Sequence, residues 1–134
     1  MLSGCYTYIP TIEEVAQQFS DDWEIQLPED AKLLYYLHCS DWTEGEYYYV
    51  IGFEETPIEL IEDFSYGSDN SIIGVFNELL PHMSEEEKTE IPTEYIPDGE
   101  AEYCCKSIRN SHDDSLYLLY NPECLTLYVL LYVM

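Results

Sequence analysis

Positively charged residues are the scarcest feature of this sequence. The 134 residues include 4 Lys and Arg against 28 Asp and Glu, which gives a formal net charge of -24 at pH 7. Proteins that bind nucleic acid or an anionic membrane directly need clusters of Lys and Arg to meet the phosphates. We therefore expect no direct binding of nucleic acid and no attachment to a membrane. The basic residues are Lys32, Lys88, Lys106 and Arg109.

Long apolar runs and a leader pattern are also missing. No stretch approaches the ~20 apolar residues of a membrane-spanning helix. The first residues carry neither the basic nor the apolar part of a secretory signal, so we expect a cytoplasmic protein. The hydrophobic fraction is nevertheless 46%, with 14 Tyr, which is ample for a packed core despite the charge. At this length we predict a single domain over residues 1–134.

The cysteines form no pattern typical of a disulfide framework or a zinc site. Their number is odd, two are adjacent, and no two have the close spacing common in zinc sites. We predict reduced thiols and neither a bound metal nor a cofactor, since free Cys commonly packs as a small apolar residue. A zinc set of Cys104, Cys105, His112 and Cys124 is the weaker alternative. The remaining cysteines are Cys5 and Cys39.

Capping patterns predict where the helices begin. Thr11 and Glu14 fit a capping box ahead of apolar residues at helical spacing, so we predict a helix over residues 11–19. Residues 21–24, of which three are acidic, are predicted to form a loop. The same rules predict a helix that begins at Thr56 and ends near Gly67, a helix over residues 70–80 that ends before Pro81, and a short helix at residues 84–87.

Runs rich in aromatic and β-branched residues predict the strands. The segments 33–39 and 46–53, joined by a short Gly-containing loop, predict a β-hairpin. Three further antiparallel strands are predicted at residues 102–108, 116–120 and 125–133, with polar turns between them. The sequence does not decide whether residues 4–9 add a strand.

The last predicted strand lacks clean alternation of apolar and polar residues. It is therefore either covered on both faces or placed at a contact between two copies, which leaves a homodimer open. Taken together, the pattern predicts an α+β fold with an antiparallel sheet of about five strands and three or four helices.

The acidic residues fall into three groups along the chain, and few Lys or Arg interrupt them. Acids one helical turn apart repel by a few tenths of a kcal/mol each, so this arrangement costs stability. We predict that these groups bind a partner. They are Glu13, Glu14, Asp21, Asp22 and Glu24; Glu54, Glu55, Glu59, Glu62 and Asp63; and Glu85, Glu86, Glu87 and Glu90.

Three interpretations of the acidic excess compete. A solvated surface explains single charge runs but not the scarcity of bases along the whole chain. Adaptation to high salt fits poorly with the many Tyr, the 5 Cys and the excess of Glu over Asp. The third interpretation is that carboxylates in rows occupy the basic groove in which a partner binds nucleic acid, with fast association because the fields are complementary. We favour this third interpretation.

In size, acidity and scarcity of basic residues the chain resembles the DNA-mimic inhibitors of phages and mobile elements. These include anti-restriction proteins, anti-CRISPR proteins and inhibitors of uracil-DNA glycosylase. The resemblance is compositional and implies that the chain blocks the nucleic-acid cleft of a host nuclease, CRISPR effector, restriction enzyme or repair enzyme. The chain also resembles small acidic immunity proteins that neutralise basic nuclease toxins. A non-catalytic acidic interaction module is the remaining alternative.

Catalytic patterns are weak. Among so many acids some pair always has the spacing for acid–base chemistry, so such a pair indicates nothing. His112 with Asp113 and Asp114 is better explained as a polar turn than as a metal site. Ser111 with His112, and His38 with Cys39, lack a third orienting group. The sequence therefore predicts that the protein is not an enzyme.

Overall fold

The computed structural model describes residues 9–40, 45–67, 70–99 and 101–133. In chain order its elements are α1 (Ile12–Trp23), β1 (Lys32–Ser40), β2 (Gly45–Gly52), α2 (Ile58–Ile61), β3 (Ser65–Gly67), α3 (Asn70–Glu87), a 3-10 turn (Thr93–Tyr95), β4 (Tyr103–Arg109), β5 (Ser115–Asn121) and β6 (Thr126–Val133).

The strands form one antiparallel sheet in the order β1-β2-β6-β5-β4-β3. This confirms the predicted α+β class and the antiparallel sheet, but the sheet has 6 strands rather than about five. Residues 4–9, whose conformation the sequence left open, lie outside the described residues except for Ile9.

The first helix begins as predicted and ends later. The Thr11 side chain accepts a hydrogen bond from the Glu14 backbone at 3.2 Å, and the Glu14 carboxylate accepts one from the Thr11 backbone at 2.9 Å. The predicted loop at residues 21–24 is wrong, because the helix continues to Trp23 and ends at Glu24, whose φ is 57°. Trp23 lies one turn beyond the buried Phe19 and is buried too, so the apolar stripe extends the helix.

The strand that the sequence missed replaces the second half of a predicted helix. The helix predicted from Thr56 to Gly67 shrinks to α2, a single turn whose N-cap is Pro57 without a side-chain hydrogen bond. The chain then turns and pairs Tyr66 with Cys104 of β4. A strand of 3 residues is too short to show a period in the sequence, and it exists because β4 offers it an edge.

The third helix runs through a proline. We predicted that it would end before Pro81, but α3 continues to Glu87 and absorbs the short helix predicted at residues 84–87. Leu80 and Met83 on either side of Pro81 are buried, so packing holds the helix together although Pro81 cannot donate to the carbonyl one turn earlier. Ser84 is therefore not an N-cap; its hydroxyl donates to the Thr89 carbonyl beyond the end of the helix.

The sheet carries a helical layer on each face. On β2, Tyr48 and Val50 pack in the cluster that includes α3, whereas Tyr49 and Ile51 pack in the cluster that includes α1. The central strand β6 is buried from Thr126 to Leu131, which agrees with the first of the two predicted alternatives, a strand covered on both faces. In the part of the chain that the structure describes, each helix is too short or too polar to cross a membrane.

Candidate functional site

Every acidic residue predicted to bind a partner is exposed, but the three groups do not share one surface. The first group lies on α1 and at its C-terminal end. The second follows β2 and continues along α2, whose Leu60 and Ile61 pack against the same core cluster as α1. The third lies at and beyond the end of α3, on the opposite face of the sheet. The fold therefore places Glu24 of the first group beside the second group and separates the third group from both.

Asp30 fixes the chain that carries the second group. Its Oδ2 atom accepts hydrogen bonds from the backbone of Glu54 at 2.9 Å and of Glu55 at 3.2 Å. This places the two Glu side chains beside Glu29 and Asp30 itself. The carboxylates are held together by the backbone, so their repulsion does not simply open the loop.

Two adjoining grooves are lined by six of the fourteen acids predicted to bind a partner, together with Glu29 and Asp30. The first, with a volume of about 630 Å³, lies between residues 26–30 and residues 54–60. The second, of about 560 Å³, extends from Glu24 across α2 to β4. Both grooves are lined by Gln26, Glu59 and Leu60, so they form one continuous surface. We name this surface the acidic groove face; its carboxylates are those of Glu24, Glu29, Asp30, Glu54, Glu55, Glu59, Glu62 and Asp63.

Two lysines offset only part of this charge. Lys32 lies 4.0 Å from Glu54, but both side chains are more than two-thirds exposed, so the pair is screened and contributes little. Lys106, on β4, donates a hydrogen bond to Asp63 and lowers the pKa of that carboxyl below its ordinary value. The remaining carboxylates of the acidic groove face form no ion pair with a lysine or an arginine of the described residues.

The outer parts of the first group lie away from the acidic groove face. Glu13 and Glu14 mark the start of α1, where Glu14 closes the capping box. Asp21 and Asp22 line a separate groove of about 520 Å³ with Asp114. Negative charge near a helix N-terminus is favourable, so the acids at the start of α1 also have a structural role.

The third acidic group lies near histidines and a cysteine, unlike the acids of the acidic groove face. Glu46 of β2 is buried and lies 3.9 Å from the His82 ring. Burial, together with the carboxylates of Glu46, Glu87 and Glu86, raises the pKa of the Cys39 thiol to about 12. Burial lowers the pKa of His38, an effect that Glu87 opposes. This end of α3 combines acids with histidines and a protonated thiol, which is unlike the acidic groove face.

Glu29 and Asp30 belong to the acidic groove face, although neither lies in the three acidic groups predicted from the sequence. The predicted hairpin already indicated that the residues just before its first strand lie near those just after its second strand. Lys32 pairs with Gly52, so extending the ladder two residues outward places position 30 opposite position 54. Acids that are far apart along the chain become neighbours because the strands that carry them are paired.

The weaker catalytic and metal alternatives have plain structural settings. Asn110 accepts hydrogen bonds from the backbones of His112 and Asp114, which makes this acidic segment a polar turn. Among the described residues, no group of three His, Cys, Asp or Glu side chains is arranged to hold a metal ion. No disulfide joins the cysteines of the described ranges, and Cys5 lies outside them.

Comparison with known proteins adds no relative to this description of the site. No protein-family model, no curated protein and no solved structure matches this chain.

The crowded carboxylates predict how stability depends on salt. We expect the melting temperature at pH 7 to rise between low and moderate salt, because a Debye length of ~10 Å at 0.1 M screens repulsion between acids in adjoining grooves. Thermal unfolding followed by circular dichroism in a sodium chloride series measures this. A variant with Glu54, Glu55, Glu59 and Glu62 changed to Gln is the control, and its salt dependence should be weaker. A melting temperature that fell over this range would contradict the inferred crowding.

Proposed function

We propose that this protein is a non-catalytic inhibitor that mimics nucleic acid and occupies the basic cleft of a nucleic-acid-binding protein. The observation that carries the proposal is the acidic groove face, where eight carboxylates meet two lysines on one continuous surface. Duplex DNA presents one negative charge per ~1.7 Å of its axis, and its binding proteins match that density with Lys and Arg. A folded surface of clustered carboxylates competes for the same residues.

The rigidity of the surface supports the proposal. Asp30 holds the backbone of residues 54–55, and β2 beneath it is paired on both sides. A preordered array loses less conformational entropy on binding than a flexible acidic tail does, so it competes better at equal charge. Complementary fields would also steer the encounter and make association fast at low salt.

The class of partner follows from the chemistry. The acidic groove face suits binding to a cytoplasmic nuclease, CRISPR effector, restriction enzyme or repair enzyme. Inhibition of such a protein is the anti-defence role of a phage or mobile element. An immunity protein that neutralises a basic nuclease toxin uses the same chemistry and remains the second candidate. The neighbouring gene distinguishes them: a basic toxin gene favours immunity, and a cluster of phage anti-defence genes favours the first role.

A displacement assay tests the proposal. Labelled duplex DNA is bound to members of each partner class, the protein is added, and fluorescence anisotropy is followed at two salt concentrations. We expect at least one class to release its DNA, with a smaller effect at the higher salt. Polyglutamate at equal total charge is the control and should be the weaker competitor. If no DNA-binding protein releases duplex even at low salt, the proposal is wrong.

A further inference from the structure

The first groove of the acidic groove face is not purely acidic. Its lining includes Leu27, Pro28, Pro57, Ile58 and Leu60 as well as the carboxylates. Ile58 is 70% exposed, the largest exposed fraction of any bulky apolar residue in the described part of the chain. A single exposed apolar residue needs no explanation, but the half-buried Leu27, Pro28 and Leu60 line the same groove as Ile58.

Both chain segments that line the groove carry acids as well as apolar residues. Glu54 and Glu55 lie just before Pro57 and Ile58, and Glu59 directly follows them, while Glu29 comes from the opposite wall. On each of the two segments, carboxylates are therefore close neighbours of apolar residues along the chain. The groove volume of about 630 Å³ lies in the range of ~300–1,000 Å³ typical of ligand clefts.

We infer that this groove binds a segment of the basic partner in which an apolar or aromatic side chain is flanked by Lys or Arg. The inference rests on the proposed function and specifies the partner further. Mimicry of phosphates needs only charge, whereas an apolar contact inside a charged rim adds affinity and selects among basic proteins. A second copy of this chain is the wrong occupant, because each copy carries a formal net charge of -24 and its acids would face the same carboxylates.

Exposed Ile58 makes the inference testable without damage to the core. Ile58→Ser removes the apolar side chain and leaves every carboxylate in place. Ile9→Ser is the matched control, since Ile9 is 67% exposed and does not line the groove. The probes are two synthetic peptides of equal positive charge, one with Trp and Leu between its Lys and Arg residues and one with Ser in their place. Binding of each peptide is measured by isothermal titration calorimetry.

We expect the Trp–Leu peptide to bind the unchanged protein about tenfold more tightly than the Ser peptide. Ile58→Ser should remove most of that difference and leave the affinity for the Ser peptide unchanged, while Ile9→Ser should alter neither affinity. Equal affinities for both peptides, a difference that survives Ile58→Ser, or no binding of either peptide would each overturn the inference. Failure of the proposed function is seen separately, as duplex DNA that stays bound to every protein in the displacement assay.

Discussion

Changing Glu54, Glu55, Glu59 and Glu62 to Gln is expected to weaken binding to the partner by roughly 100-fold at low salt. These four acids line the acidic groove face and are exposed, so Gln keeps their size and removes only charge. An exposed ion pair contributes about 0.2–1 kcal/mol. Four pairs in the upper part of that range reach the roughly 3 kcal/mol that corresponds to a 100-fold change. The salt dependence of binding should decrease in the same variant, because fewer counterions are exchanged.

The third acidic group provides the matched control. Changing Glu85, Glu86, Glu87 and Glu90 to Gln alters the net charge by the same amount on the opposite face of the sheet. We expect this variant to bind within a few-fold of the unchanged protein, since only the long-range field changes. Surface plasmon resonance against the protein identified by DNA displacement measures both variants. Equal losses in the two variants would show that net charge alone acts, and a loss in the α3 variant alone would place the contact on the other face.

Local patterns in the sequence predicted the elements whose signals are themselves local. The capping box of Thr11 and Glu14 and the turn organised by Asn110 depend on residues within a few positions of each other. Two of the predictions that failed depend on partners that are distant along the chain. β3 exists because Tyr66 meets Cys104, and α3 passes Pro81 because Leu80 and Met83 are buried against the sheet. No window along the chain contains that information.

The candidate site, too, combines features that local sequence predicts with features that depend on distant residues. The composition predicted that acids would be exposed, and the runs along the chain identified most of those in the acidic groove face. Which runs meet was fixed by topology, because α1 and α2 share one face of the sheet and α3 covers the other. Asp30 holds this surface together through hydrogen bonds from the backbones of residues 54 and 55. The apolar lining depends on the orientation of α2, which places Ile58 and Leu60 in the groove. The sequence therefore predicted the negative charge of the surface, but not which acids the fold brings together.

Alkaline pH is expected to unfold the protein through its buried tyrosines. Tyr48 and Tyr49 are almost fully buried, and burial raises the pKa of both phenols well above the ordinary value. Burial also raises the pKa of Tyr36 and Tyr103 to about 12. In each case burial favours the neutral phenol, because a buried phenolate lacks solvation.

The direction of the pH effect follows from these shifts. Between the unfolded pKa of about 10 and the raised folded values, the native state binds more protons than the unfolded state, so the free energy of unfolding falls as pH rises. Below pH ~10 this contribution is fully present. Tyrosinate absorbance and circular dichroism, recorded together against pH, should therefore show the buried tyrosines ionising in one step with loss of structure. In denaturant the 14 tyrosines should ionise near the ordinary pKa.

Tyr48→Phe separates the alkaline effect from packing. The ring remains in the core, but the hydroxyl no longer donates to the Tyr95 carbonyl, which should cost about 1 kcal/mol at neutral pH. Because one raised phenol is gone, the free energy of unfolding of this variant should fall less steeply than that of the unchanged protein above pH ~10. Urea unfolding at a series of pH values measures both slopes. If the tyrosines ionise gradually while the circular dichroism stays native, the tyrosine core is more accessible to water than its burial in the sheet indicates.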